Sequence, residues 1–175
     1  MTGPLPASVA RLPTHSVWLL AAVMAIGALA LDQATKWVIV SLVMDPPRII
    51  TVLPFFNLTL GFNRGVSFGM FGGVFANSPW ILVLISSAIV ALMLTFLIRS
   101  PGTLEAIGIG SIIGGALGNM LDRMRLGAVV DFLDLHAAGW HWPAFNTADI
   151  TITVGAAALM LSGLRARPTA TPRSS

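Results

Sequence analysis

The sequence predicts an all-α membrane protein that crosses the bilayer four times. Hydrophobic residues make up 55% of the 175 and charged residues only 10%, where a soluble domain carries about a quarter charged. Four apolar stretches, 17–44, 79–98, 103–124 and 146–164, are each long enough to cross about 30 Å of hydrocarbon as a helix. Polar and acidic residues gather at one set of helix ends and in the two long connections, 45–78 and 126–145.

Composition also excludes chemistry. The chain has no Cys, so it has no disulfide, thiolate metal site or cysteine nucleophile. Three His and scattered acids make no zinc pattern. No metal and no cofactor is expected. The net charge is +3, but the Arg residues are dispersed and flank apolar segments. They read as topology signals rather than a nucleic-acid surface. Residues 1–16 and 166–175 read as flexible tails around one membrane domain, 17–165. Asp32 and Lys36 interrupt the first apolar stretch and more apolar sequence follows, which favours an uncleaved first helix over a signal peptide at 11–30.

Asp32 and Lys36 lie four apart and share a helix face, where they can pair. A structural pin to neighbouring helices and a role in shaping an active site fit this pair equally. Pro46-Pro47 ends the first helix. Residues 49–60 are rich in β-branched and aromatic types and predict one or two short strands broken at Pro54. Asn57, Asn63 and Arg64 bring hydrogen-bonding groups beside apolar surface. Two readings fit this connection: a cap resting on the membrane, which is the simpler, or a platform gripping an extended peptide by its backbone.

Asn77 or Ser78 with Pro79 starts the second span. The short turn Arg99-Ser-Pro-Gly makes the second and third spans antiparallel neighbours. In the third, Gly110, Gly114 and Gly118 recur every four residues and give one smooth packing face. Asn119, Asp122 and Arg123 share a face at its end. Residues 126–144 mix apolar and acidic groups and then carry Trp140 and Trp142, types that favour the membrane interface, so a short surface-lying segment is expected. Asn146 and Asp149 share a face at the start of the last span.

Four spans put both termini on one side with Arg11, Arg99, Arg165, Arg167 and Arg173. The other side holds Arg48, Arg64, Arg123 and Arg125. The bias is small, but the terminal placement of the first set favours the cytoplasm for it. Both long connections then face outward.

Of seven acids, four fall between Asp122 and Asp149. Ionisable groups beside a membrane are expensive, so a cluster there calls for a reason. If the intervening loop folds back, Asp131 and Asp149 meet and share a proton, one carboxylate acting as base on a water and the other as acid. The residues alone also fit membrane-boundary acids, a cation site, a proton relay in a small transporter, or a scaffold built on the glycine face. Against transport, the acids cluster at helix ends rather than near the midplane.

In order along the chain stand Asp32-Gln-x-x-Lys36, Asn57, Asn63-Arg-Gly-Val-Ser-Phe68, Gly114-Gly-x-x-Gly-Asn119-x-x-Asp122-Arg123, Gly127-x-Val-Val-Asp131-Phe132 and Phe145-Asn146-x-Ala148-Asp149. Together they resemble bacterial lipoprotein signal peptidase, also called signal peptidase II. The resemblance implies a membrane aspartyl endopeptidase that cuts prolipoproteins just before a diacylglyceryl-modified cysteine. It implies Asp131 and Asp149 as the catalytic pair. Asn57, Asn63, Asn119, Arg123 and Asn146 would bind substrate or support the pair, and Asp32, Lys36 and Asp122 would be structural. The implied fold adds a small extracytoplasmic β-cradle, expected within 48–72, and a short surface helix, expected within 132–144. Residues 55–72 are expected to close over the peptide once it is seated. The implied setting is the bacterial cytoplasmic membrane, with both termini in the cytoplasm, the site near the outer face, a monomer, and lipid and prolipoprotein as the partners. One departure is Val66-Ser67, where the family more often has two small residues such as alanine; it bears on the shape of the substrate loop rather than on the chemistry.

Overall fold

Among the described residues, four helices are long and apolar enough to cross a membrane. The structure, a computed structural model, describes residues 14–65, 78–99 and 102–165. The outer tail segments, the loop 66–77 with Val66 and Ser67, and part of the 55–72 segment lie outside the described residues. Helix α1 is Thr14–Val38 and runs on into one π-helical turn, Ile39–Val43. Helices α2, α3 and α4 are Pro79–Ile98, Thr103–Leu126 and Thr147–Arg165.

Helix α3 is central. Two-thirds of its spanning stretch is buried, against about a fifth for each of the others. Glycine makes this possible, because the neighbours touch its backbone. A Cβ at Gly110 or Gly114 would run into the carbonyl oxygens of Ala21 and Ala25 on α1. On another face, a Cβ at Gly108 would lie 2.7 Å from the Gly155 carbonyl oxygen of α4. Val17, Ala21, Met93, Leu97, Ile109 and Ile113 fill the space between α1, α2 and α3. Apolar side chains on the outer faces, such as Leu19, Ile26, Leu84 and Val154, are exposed, as a lipid-facing surface requires. Gly114→Leu is therefore expected to destabilise by about 3 kcal/mol or to yield no folded protein. Thermal unfolding in detergent checks this; a melting temperature equal to the parent's contradicts the packing.

The connections form one antiparallel sheet in the order β1-β2-β3-β4, with β1 Ile50–Leu53, β2 Phe56–Asn63, β3 Val129–Ala137 and β4 Trp140–His141. Pro54-Phe55 makes the break between β1 and β2 that the sequence predicts. Phe132 packs with Ile39 and Met44 beneath the sheet. The segment 132–144, expected to hold a short surface helix, is extended instead. Val129 and Val130 are β-branched and begin a strand whose backbone pairs with β2, from Asn63↔Val129 to Phe56↔Leu135. Ala138 (φ 51°) and Gly139 (φ 81°) then turn the chain into β4, both in the left-handed region that a two-residue hairpin turn demands.

Candidate active site

Asp131 lies on β3 opposite Gly61 of β2 and is 4% exposed. Its Oδ2 accepts a hydrogen bond from Asn63 Nδ2 at 3.0 Å, and its Oδ1 accepts one from Asn146 Nδ2 at 2.7 Å. Asp149 sits in the first turn of α4. There the Asp149 N–H donates to Asn146 Oδ1 at 3.1 Å, and the Asn146 N–H donates to Asp149 Oδ2 at 3.2 Å. This reciprocal pair satisfies donors that a helix start leaves open. Asn119 Nδ2 donates to the remaining oxygen, Asp149 Oδ1, at 3.1 Å.

The fold-back that joins the two acids is built from the β3–β4 hairpin and Phe145. The Leu133 N–H donates to the Phe145 carbonyl at 2.9 Å, and the Phe145 N–H donates to the Leu133 carbonyl at 3.0 Å. This pins the residue before Asn146 beside β3. Asn146, fully buried, then reaches Asp131 with its side chain and Asp149 with its backbone.

The amides cannot turn round without loss. Asn119 Oδ1 accepts from Lys36 Nζ at 2.9 Å and from Asn146 Nδ2 at 3.2 Å, which leaves its Nδ2 for Asp149. Asn63 Oδ1 accepts from the Gly65 N–H at 2.8 Å, which leaves its Nδ2 for Asp131. Arg123 donates to the Gly65 carbonyl at 2.9 Å and to the Asn119 carbonyl at 3.3 Å, and its Nε is buried without a partner among the described residues. Arg123 thus ties the end of β2 to α3.

Behind the pair, Lys36 Nζ lies 2.8 Å from Asp32 Oδ2 and 2.7 Å from Asp122 Oδ2. All three side chains are buried. Asp32 Oδ1 also accepts the Ala148 N–H at 2.9 Å, and Asp122 Oδ2 accepts the Val130 N–H at 3.2 Å. The Asp32–Lys36 pair thus pins α1 to α3 and α4, and Lys36 also donates to Asn119, whose amide in turn donates to Asp149.

Burial pushes the Asp131 carboxyl up to about 6. The Asp149 charge adds to this, and the hydrogen bonds from Asn63 and Asn146 hold it back. Asn57 does not reach the pair. It faces Asp134 in the β2–β3 register and donates to Asp134 Oδ2 at 3.0 Å. Burial disfavours that carboxylate, but hydrogen bonds from His141, at 2.9 Å, and Asn57 outweigh it and hold Asp134 below its usual range.

Two clefts meet the site. One, of about 330 Å³, is lined by Gly61, Asn63, Gly65, Asp131 and Pro143. The other, of about 240 Å³, runs between α2, α3 and α4 past Leu82, Ile89, Ile112 and Ile152 to Asn119 and Arg123. Among the described residues, no group of three or more His, Asp or Glu is placed to hold a metal ion.

A family model described as signal peptidase (SPase) II matches residues 24–165. A lipoprotein signal peptidase of Polynucleobacter necessarius is 45% identical over 143 residues, covering 81% of this chain and 86% of that one. One of Anaplasma phagocytophilum is 40% identical over 139 residues, 79% of this chain and 88% of that one. The chain belongs to the signal peptidase II family. A solved structure, described as a bacterial membrane enzyme at 2.3 Å resolution, superposes with a TM-score of 0.74 at 27% identity, covering 89% of this chain and 93% of the other. As a signal peptidase II family member with four apolar helices, the chain is a protease of the multi-pass membrane type.

Within this signal peptidase II fold, several groups support the site that the sequence either quotes without a role, as Gln33, or does not single out. Gln33 Nε2 donates to Asp122 Oδ1 at 3.0 Å and to Asp32 Oδ2 at 3.2 Å. Thr35 and Thr147 join α1 to α4 by a hydroxyl–hydroxyl bond of 2.9 Å. Both Gln33 and Thr35 are polar groups in an apolar span, a signal that predicts a buried partner. Asp134 and His141 gave no such signal, because their meeting depends on the hairpin.

Proposed function

We propose that this chain removes the signal peptide from prolipoproteins by cutting before a diacylglyceryl-modified cysteine, with Asp131 and Asp149 activating the water. The observation that carries the proposal is the linkage of the two acids through Asn146, with an amide donor on each of their four oxygens. Both carboxylates are held in place, and one is buried while the other is half-buried. Such unlike settings push the two groups towards different roles. Asp131, at about 6, holds the proton, and Asp149 is the base.

In this reading a water gives a proton to Asp149 as its oxygen attacks the scissile carbonyl carbon. Asp131 gives its proton to the carbonyl oxygen. The tetrahedral diol then collapses: the C–N bond breaks as the proton on Asp149 passes to the leaving amine, and one diol hydroxyl returns its proton to Asp131 as the C=O bond re-forms. The peptide lies in the cleft beside Gly61, Asn63 and Asp131, and apolar substrate runs down the cleft between α2, α3 and α4. The active form faces the outer leaflet of the cytoplasmic membrane, with both termini in the cytoplasm.

The test is a pH profile of kcat/KM on a lipidated prolipoprotein. The raised pKa means that Asp131 keeps its proton below about 6 and loses it above. Activity is expected to fall on the alkaline side with a midpoint near 6. Asn63→Ala removes a donor that favours the charged carboxylate, so it should move that limb to higher pH. A profile flat from pH 5 to 8, or a limb that Asn63→Ala leaves in place, contradicts the assignment.

A further inference from the structure

We propose that a groove between α1 and α3, at the same end of the bundle as Asp131, binds an anionic glycerophospholipid through its headgroup phosphate. The groove holds about 290 Å³ and is lined by Gln33, Trp37, Val40, Ser41, Arg125 and Leu126, with Lys36 and Asp122 at its floor. The function of the chain as a peptidase does not use it, since the catalytic clefts are lined by other faces.

Charge selects the ligand. Lys36 is committed to two carboxylates, and both Asp122 oxygens already accept hydrogen bonds. Arg125 is exposed and makes no ion pair or hydrogen bond among the described residues. It is thus the uncommitted charge of the groove's described lining, and it favours an anion and repels a choline headgroup. Depth and shape select a lipid. Arg125 stands one residue before the end of α3, where the apolar span gives way to the sheet. Trp37 is 61% exposed, and Leu126 is also exposed beside the groove. An aromatic ring and a cation at a span end form the usual anchor pair at a headgroup boundary. A phosphate on Arg125 leaves headgroup hydroxyls facing the Ser41 hydroxyl and the Gln33 side-chain carbonyl, whose amide nitrogen is already used by Asp32 and Asp122. The acyl chains follow Trp37, Val40 and Leu126 into the bilayer.

The test is native mass spectrometry of the delipidated full chain with equal amounts of phosphatidylglycerol and phosphatidylcholine of matched acyl chains. The parent should retain phosphatidylglycerol preferentially. Arg125→Ala and the size-conserving Arg125→Gln should each lose roughly fivefold of that retention. Arg48→Ala, which removes another exposed cation of the same end, should leave it unchanged. Soluble sn-glycerol 3-phosphate should fail to displace the lipid. Equal retention of both lipids, loss of selectivity in neither Arg125 variant, equal loss in Arg48→Ala, or displacement by glycerol phosphate would each overturn the proposal. Cleavage activity is not a readout, so failure here leaves the peptidase reading untouched.

Discussion

Asp131→Asn is expected to abolish cleavage and, at pH 7, to make the protein more stable. Replacing either acid by Asn keeps the shape and removes proton exchange, and general acid–base groups of this kind supply about 10²- to 10⁴-fold each. Asp149→Asn should therefore be equally inactive. The stability effect separates the two. A buried carboxyl that titrates at about 6 favours its neutral form in the folded state. Its contribution is fully present in acid, below the unfolded value of about 4, and is lost as pH rises through 6. At pH 7 that loss is about 3 kcal/mol, from roughly two pH steps of about 1.4 kcal/mol each. The neutral amide of the Asp131→Asn variant recovers it, less about 1 kcal/mol because Asn63 and Asn146 are both donors and one must face the new amide nitrogen. Chemical unfolding in detergent should find the variant about 2 kcal/mol more stable than the parent at pH 7, with the gain gone at pH 4. A variant less stable than the parent at pH 7 would show that Asp131 is not strained by burial.

Lys36→Met should have the largest destabilising effect among the polar residues. It leaves Asp32, fully buried, and Asp122, also buried, without their shared cation. Breaking a buried pair from one side costs about 3–5 kcal/mol because the remaining charge is uncompensated. Here two carboxylates are left. The change also frees Asn119 Oδ1, so the amide that holds Asp149 can turn. Asp32→Asn in the Lys36→Met background should restore part of the stability, whereas the same substitution alone should cost it. Melting temperatures of the four proteins in this double-mutant cycle decide the matter. A Lys36→Met protein within about 1 kcal/mol of the parent would mean that the network is not what holds α1 to α3.

The four spans are legible in the sequence because an apolar run of about 20 residues states its own environment and needs no partner. The glycine face of α3 is legible for the same reason: a repeat of four on a helix marks one side. The approach of Asp131 to Asn146 and Asp149 is not. It rests on the hairpin at Ala138-Gly139 and on the Leu133–Phe145 pairing, and neither is a property of the acids themselves. The motif resemblance supplies the pairing that spacing cannot. It also supplies the surface helix expected in 132–144, where strand pairing with β2 prevails. Asn57 shows how register decides a role. Asn57 and Asn63 stand on one strand but at different points of its pairing with β3, so they face different acids, Asp134 and Asp131. Asp32 and Lys36 are readable as a pair, but their third member, Asp122, arrives from another helix.

The most direct test of the central claim is cleavage of a purified diacylglyceryl-modified prolipoprotein in detergent, with chelator present throughout. The same substrate without its lipid and the Asp149→Asn enzyme run beside it. The account predicts a single cut just before the modified cysteine, by the parent enzyme alone and on the lipidated substrate alone. Undiminished cleavage by folded Asp149→Asn enzyme, or none by folded parent enzyme, would contradict it.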